Sequence, residues 1–277
     1  MKNTLNIDGR LISLDKPLVM GVLNLTEDSF FDGGKYYKEE NAIARAEEIL
    51  AQGADIIDIG ACSTRPGAEL VSAEDEIKKL LPIIKHIRHN HPQAIISIDT
   101  VWSEVVRAVM DNGADIINDI SGGNFDSKLF EEVARTKAPY ILMHTTALPN
   151  RMQDHTEYDD LYLDISKYLS IRIEKLKSLG VNDIIIDLGF GFGKTVEQNY
   201  ELLRRLREFE VLGLPMLVGL SRKSMIYKPL GISPEESLNP SVILNTIAIL
   251  NGAKIIRVHD VAESVEIIKL FELLKNS

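Results

Sequence analysis

Short apolar runs recur along this chain, and each ends on a polar or charged residue. In order the ends are Asn24, the Ser63-Thr64-Arg65 segment, Asp99, Asn118 with Asp119, His144, Asp187, Ser221 with Arg222 and Lys223, and Arg257 with His259. A single such residue reads as a cap or a turn, because Asp, Asn and Ser suit those positions, and for any one Asp here the structural reading leads. A polar group at every end instead describes a pocket. Carboxylates and amides would hydrogen-bond a polar ligand, and the surrounding cations suit an anion, most simply a phosphate or pyrophosphate.

Other signals carry less. Gly189-Phe190-Gly191-Phe192-Gly193-Lys194-Thr195 looks like a phosphate-binding loop, but that motif wants a glycine five residues before the Gly of its Gly-Lys-Thr, where Leu188 stands. The G-x-G-x-G spacing also misses the dinucleotide fingerprint. A glycine-rich loop after a strand still lets backbone approach a ligand. His86, His89 and His91 fall at the end of an expected helix without metal spacing and are read as solvated. His144 and His259 sit at strand ends, where a ligand role and a structural one are equally open. Cys62 has no paired base in view, which argues against a nucleophile.

The elements that must position these residues follow from a repeated theme. Gly53-Ala54-Asp55-Ile56-Ile57-Asp58-Ile59-Gly60 is echoed at Gly113–Ile120, Val181–Asp187 and Gly252–Val258. Each echo follows a helix-like stretch. Gly53, Gly113 and Gly252 stand where a helix C-terminus wants a left-handed residue, and the β-branched runs after them read as buried parallel strands. The strands expected are Val19–Asn24, Ile56–Gly60, Ala94–Asp99, Ile116–Asp119, Tyr140–His144, Asp183–Asp187, Met216–Leu220 and Ile255–Val258. Helical faces lie between them, among them Ala42, Ala46, Ile49 and Leu50, then Ile77, Leu80, Leu81 and Ile84, then Leu161–Leu179 and Val265–Leu274. Eight β-α alternations are what a (β/α)8 TIM barrel of the α/β class requires, and a doubly wound open sheet more often has fewer strands. A hairpin within residues 4–15, at Leu5–Leu14, is expected to plug the barrel bottom.

With 277 residues the chain suits one barrel domain over 1–277. Lys and Arg total 31 against 41 Asp and Glu, a net charge of −10, which argues against nucleic acid or an anionic membrane as partner. One cysteine excludes an internal disulfide and a Cys-rich zinc site. No run approaches the ~20 apolar residues of a membrane span, and Met1–Asp15 lacks a signal-type apolar run. The protein is expected to be soluble and cytoplasmic.

The strand-end motifs resemble those of the dihydropteroate synthases of the folate pathway, over nearly the whole chain and in family order. They are Met20-Gly21-Val22-Leu23-Asn24-Leu25-Thr26-Glu27-Asp28-Ser29-Phe30, Ser63-Thr64-Arg65-Pro66-Gly67, Ser97-Ile98-Asp99-Thr100, Ile117-Asn118-Asp119-Ile120-Ser121-Gly122-Gly123 and Leu142-Met143-His144. Asp187 with Gly191-Phe192-Gly193-Lys194, Gly219-Leu220-Ser221-Arg222-Lys223-Ser224 and Arg257-Val258-His259-Asp260-Val261 complete the set. The resemblance implies a barrel enzyme joining 6-hydroxymethyl-7,8-dihydropterin pyrophosphate to p-aminobenzoate, with Mg²⁺ as cofactor, and a homodimer.

It also implies roles. Asp187 would accept the pterin's adjacent N–H donors as a fork, with Asp99 and Asn118 along the same edge, Lys223 on the pterin carbonyl, and Arg257 and Met143 against the ring faces. Asn24, Arg65, Arg257 and His259 would meet the pyrophosphate, Asn24 being the protein's contact to the metal. Thr64, Pro66, Phe190, Ser221 and Lys223 would surround p-aminobenzoate. Arg65, Lys223, Asp99 and Arg257 would carry catalysis through leaving-group stabilisation and positioning of the amine, without a covalent nucleophile. The loops Thr26–Gly34 and Cys62–Ala68 would close over the site. Glu27 stands where the family usually has proline, Cys62 where it has glutamate, and Leu188 where it has proline; Thr145–Pro149 is also unusual. A methyltetrahydrofolate-binding methyltransferase domain would have no reason to keep both Ser63-Thr64-Arg65-Pro66 and Ser221-Arg222-Lys223. A paralogue that only binds would be marked by loss of Lys223, Arg65 or Arg257, and all three are present.

Overall fold

The chain opens on a hairpin, β1 (Thr4–Ile7) and β2 (Arg10–Ser13), paired antiparallel around Asp8-Gly9. Both turn residues have positive φ, 46° and 82°, the two-residue geometry whose twist matches the flanking strands. The computed structural model describes residues 3–25, 35–61, 71–146 and 156–277.

After the hairpin come β3 (Leu18–Asn24), α1 (Lys35–Ala51), β4 (Ile56–Gly60), α2 (Ala73–Asn90), β5 (Ile95–Asp99), α3 (Ser103–Met110), β6 (Ile116–Asp119), α4 (Leu129–Thr136) and β7 (Tyr140–Met143). They are followed by α5 (Leu161–Ser178), β8 (Ile184–Asp187), α6 (Val196–Arg205), β9 (Met216–Val218), α7 (Ser224–Leu230), α8 (Leu238–Leu250), β10 (Ile255–Val258) and α9 (Val261–Asn276). Strands β3 to β10 pair in sequence order, all parallel, and β10 closes onto β3. This is the eight-stranded barrel expected from the alternation of elements. Gly53, Gly113 and Gly252 hold φ of 94°, 98° and 100° at the turns from helix to strand, so each could take a side chain only with strain.

The period-two alternation of strand side chains builds two cores. Outward-facing residues such as Ile57, Ile59, Ile96, Ile98, Ile117 and Leu142 pack under the helices. Inward, the first layer is apolar, formed by Leu18, Met20, Ile56, Ile95, Ile116, Ile141, Ile185, Leu217 and Ile255, and the hairpin presses Leu5, Ile7 and Leu14 onto it from below. One step further along the strands the inward side chains change character to Asp58, Ser97, Asn118, Asp187 and Arg257. The barrel thus has a dry floor and a polar upper half. No described helix is long and apolar enough to cross a membrane.

Candidate active site

Arg257 lies at the centre of the polar layer. Its Nε donates to Asp58 Oδ2 at 2.7 Å and its Nη2 to Asp99 Oδ2 at 3.0 Å, so two carboxylates from β4 and β5 hold the guanidinium in one plane. Asp58, fully buried, also accepts from Ser97 Oγ at 2.6 Å and from Asn118 Nδ2 at 3.1 Å. Asn118 is thereby oriented by its donor end, leaving its carbonyl as the other half of the amide. Burial pushes Asp99 up to about 7 against the pull of Arg257, with Asp58 adding to the rise. Asp58 was not among the residues expected at the site. The signal was available: a lone carboxylate inside Ile56-Ile57-Asp58-Ile59 has no partner within its own strand.

Across the mouth, Asp187 ends β8 and accepts the Gly189 N–H at 2.7 Å through Oδ1. Burial raises this carboxyl, opposed first by Lys223. Lys223 donates to the Phe190 carbonyl and lies 4.8 Å from the centroid of the Phe192 ring. Burial lowers its ammonium to about 8, Asp187 working in the opposite direction. Here the structure corrects the sequence reading. The Phe190 side chain is fully buried in the outer core, and what it offers the pocket is its carbonyl. The ring beside Lys223 is that of Phe192, which clusters with Met143, Val101 and Ile120. The two phenylalanines are two residues apart in a glycine-rich turn, and the turn sends them to opposite sides.

Ser221 and His259 meet at the ends of β9 and β10. The His259 backbone N–H lies 3.4 Å from Ser221 Oγ and the ring Nδ1 3.3 Å from it. Burial and then Arg257 lower His259 to about 4, so the ring is neutral at physiological pH and acts as a hydrogen-bonding group. The Ser221 hydroxyl, expected at the p-aminobenzoate carboxylate, is turned to His259. Beside it Arg222, at φ 58°, pairs with Asp260 at 2.5 Å. Asn24 ends β3, half-buried.

Several expected positions resolve as structural. Asp119 accepts from the Ser121 and Gly123 N–H groups at 2.7 and 2.6 Å and from Tyr140 Oη at 2.5 Å, which folds the Ser121-Gly122-Gly123 turn. His144 is buried with Nδ1 3.1 Å from Lys194 Nζ. His86 and His91, read as solvated, both close on Glu47 of α1, at 2.9 and 2.7 Å, because the ends of α1 and α2 are neighbours in space. Glu76, in the first turn of α2, was missed. It is 1% exposed, accepts from Thr100 Oγ1 at 3.0 Å, and burial pushes it up to about 8. Arg65, Thr64, Pro66 and Cys62, with Glu27 and the two expected closing loops, lie outside the described residues.

Comparison with known proteins agrees with this geometry. The family model for "Pterin binding enzyme" matches residues 20–259. The dihydropteroate synthase of Escherichia coli (strain K12) is 42% identical over 266 residues, covering 95% of this chain and 94% of its own. That of Synechocystis is 44% identical over 259 residues, covering 92% and 89%. Among solved structures, the Yersinia pestis dihydropteroate synthase superimposes with a TM-score of 0.92 at 39% identity, over 99% of this chain and 100% of that one. The Xanthomonas albilineans dihydropteroate synthase gives 0.92 at 36% identity over 100% of both. The chain belongs to the dihydropteroate synthase family of pterin-binding enzymes.

Proposed function

We propose that the barrel mouth condenses 6-hydroxymethyl-7,8-dihydropterin pyrophosphate with p-aminobenzoate, giving 7,8-dihydropteroate and pyrophosphate, through the residues described above. The observation that carries the assignment of roles is the pairing of a buried carboxylate floor, Asp58, Asp99 and Asp187, with the two cations Arg257 and Lys223 at its upper edge. A pterin edge presents adjacent N–H donors, and a carboxylate accepts such a fork well. Asp187 takes that edge, with Asn118 and Asp99 continuing it. Arg257, already flattened between two carboxylates, offers its face to the bicyclic ring, and Met143 the opposite wall. Lys223 reaches the pterin carbonyl. The Xanthomonas relative was solved with 4-aminobenzoic acid and the Yersinia one in a sulfonamide drug complex, which supports an arylamine subsite here. We place its ring against Phe192 and Lys223, with Thr64 and Pro66 contributed from sequence.

In the reaction the C–O bond to pyrophosphate breaks, the amine nitrogen forms the new C–N bond, and the arylammonium releases one proton. The departing pyrophosphate carries away the bonding electron pair. Arg65, Asn24, Arg257 and neutral His259 receive it, the last by hydrogen bonding. Among the described residues no three His, Cys, Asp or Glu side chains converge on a metal position. The half-buried amide of Asn24 is a hard oxygen donor, which fits Mg²⁺ held mainly by substrate phosphates. When bound, the ion would neutralise charge on the leaving group. We also place a homodimer on α8 and α9, where the exposed side chains Leu250, Leu270 and Leu274 line a groove of about 400 Å³.

Turnover of the two substrates tests the activity, and one variant tests the site. In Asp187→Asn a donor would face the pterin's own donor, an opposition worth roughly 1–3 kcal/mol. Pterin affinity by calorimetry is expected to fall about tenfold or more with the fold intact. Wild-type affinity would remove Asp187 from the pterin site.

A further inference from the structure

The lysine that imitates a phosphate-binding loop points the other way. Lys194 is 4% exposed, and its Nζ meets three acceptors: the Gly189 carbonyl at 2.9 Å, the Phe192 carbonyl at 2.9 Å and His144 Nδ1 at 3.1 Å. An ammonium has three N–H donors and no acceptor, so this environment matches its donor count. The same turn is tied at further points. Phe192 N–H donates to the Gly189 carbonyl at 3.0 Å, Gly191 N–H to Asn199 Oδ1 at 2.7 Å, and Tyr158 Oη to the Gly193 carbonyl at 2.9 Å. A capping box between Thr195 and Gln198 then starts α6. Gly189, at φ +68°, has no room for a side chain, since a Cβ would come within 2.0 Å of the His144 carbonyl oxygen.

The knot matters for what hangs from it. Gly189 gives its N–H to Asp187, Phe190 gives its carbonyl to Lys223, and Phe192 sets its ring beside Lys223. We infer that Lys194 is a positioning residue: by fixing the Gly189–Phe192 turn from beneath, its buried ammonium holds Asp187 and Lys223 in the arrangement that binds a pterin edge and an arylamine. This rests on the pterin-site reading above and adds a residue that touches neither substrate. His144 serves as the inner anchor and must keep a free Nδ1 lone pair. Burial, followed by the charges of Lys194 and Arg172, lowers it to about 2 and keeps it neutral, and the Lys194 ammonium, which can only donate, assigns the ring proton to Nε2.

The groups facing Lys194 are His144 just after β7, Asp187 from β8 and Lys223 beyond the turn, with Tyr158 and Tyr168 against the His144 ring at 6.0 and 4.7 Å. Burial lowers Lys194 to about 7, Asp187 opposing and Lys223 assisting. Raising the pH through that value removes one of three donors, so the turn loosens on the alkaline side.

The test compares wild type with Lys194→Met, which keeps the length and loses the donors, well below either melting temperature. Expected are a rise of about tenfold or more in both the pterin Kd and the p-aminobenzoate KM, with kcat changing less. The pH profile of pterin affinity should also lose the part of its change near pH 7 that belongs to Lys194, and keep the parts from Asp99 and Lys223. A lowered melting temperature with unchanged Kd, KM and pH profile would make Lys194 structural only and overturn the inference. Should Lys194→Met not fold, the ammonium itself is read in ¹⁵N-labelled wild type. A Lys Nζ resonance protected from exchange, with cross-relaxation to His144 and Phe192, is expected, and its absence overturns the inference. Failure of the pterin-site reading is separate, since wild type would then not bind pterin at all.

Discussion

Arg257 and Asp58 are 199 positions apart and share one hydrogen bond at 2.7 Å. A buried arginine is tolerable only when paired and hydrogen-bonded, and Asp58 and Asp99 together satisfy that. Asp58→Asn leaves Asp99, among the described residues, as the one carboxylate hydrogen-bonded to Arg257, with Asp187 as a more distant counter-charge, and sets an N–H among the donors Ser97, Asn118 and Arg257. We expect the variant to lose about tenfold or more in pterin affinity, because Arg257 and Asn118 lose their common anchor. Unchanged calorimetry would show that Asp99 alone orients Arg257. Glu76 gives a second expectation at this scale. Its ordinary value is near 4.5 and burial takes it to about 8, so between these the folded state binds a proton that the unfolded state has lost. Its contribution is full below about pH 4.5 and disappears as pH rises through 8, with a slope of at most about 1.4 kcal/mol per pH unit. Glu76→Gln should flatten the fall in denaturant stability between about pH 4.5 and about pH 8, the window set by those two values. An identical slope in both proteins would show that Glu76 is not the titrating group.

The elements divide the work between the two ends of the barrel. The proposed site occupies strand C-termini and the turns after them, while strand N-termini and the hairpin carry stability, the usual separation in this fold. Leu5 is fully buried where β1 meets the floor formed by Met20, Ile56, Ile141 and Leu217. Leu5→Ala should open a cavity there and destabilise by about 2–5 kcal/mol in chemical denaturation. KM for both substrates should hold at temperatures where the variant is folded. A change in KM without loss of stability would mean that the hairpin influences the mouth. The turn after β8 is the exception to the pattern of simple strand ends. Its backbone supplies the groups that hold Asp187 and Lys223, and its lysine serves the turn.

At the scale of the whole molecule, α8 and α9 expose more large apolar side chains than the other described helices. Ile243, Ile247 and Leu250 on α8 are 51%, 38% and 46% exposed, and Leu270, Leu273 and Leu274 on α9 are 67%, 69% and 67% exposed. We propose that these exposed apolar side chains form an interface. With a second copy as occupant, sedimentation at micromolar concentration should show a dimer, and the paired change Ile247→Glu with Leu270→Glu should give a folded monomer. A monomeric wild type would refute the assignment. Active sites lie at the strand ends, away from this face, so the variant should keep its KM values.

Much of this was legible in the sequence because it is local. Strands were visible as β-branched runs, helix ends as glycines, and the barrel as the number of alternations; the expected and observed strand bounds differ by at most two residues at either end. The polar strand ends were legible for the same reason, since a barrel puts consecutive strand termini around one mouth. What only the tertiary structure decided is which of those groups face each other. Asp58 needed the closure of β10 onto β3 to acquire Arg257. Glu47 needed the packing of α1 beside α2 to acquire two histidines. Phe190 and Phe192 needed the shape of a turn with no repeating period, and Lys194 needed that same turn to find its three acceptors from within the protein. Side-chain periodicity specifies the face of a regular element and says nothing about a glycine turn. Charge pairing across a barrel depends on distances that exist only once the sheet has closed.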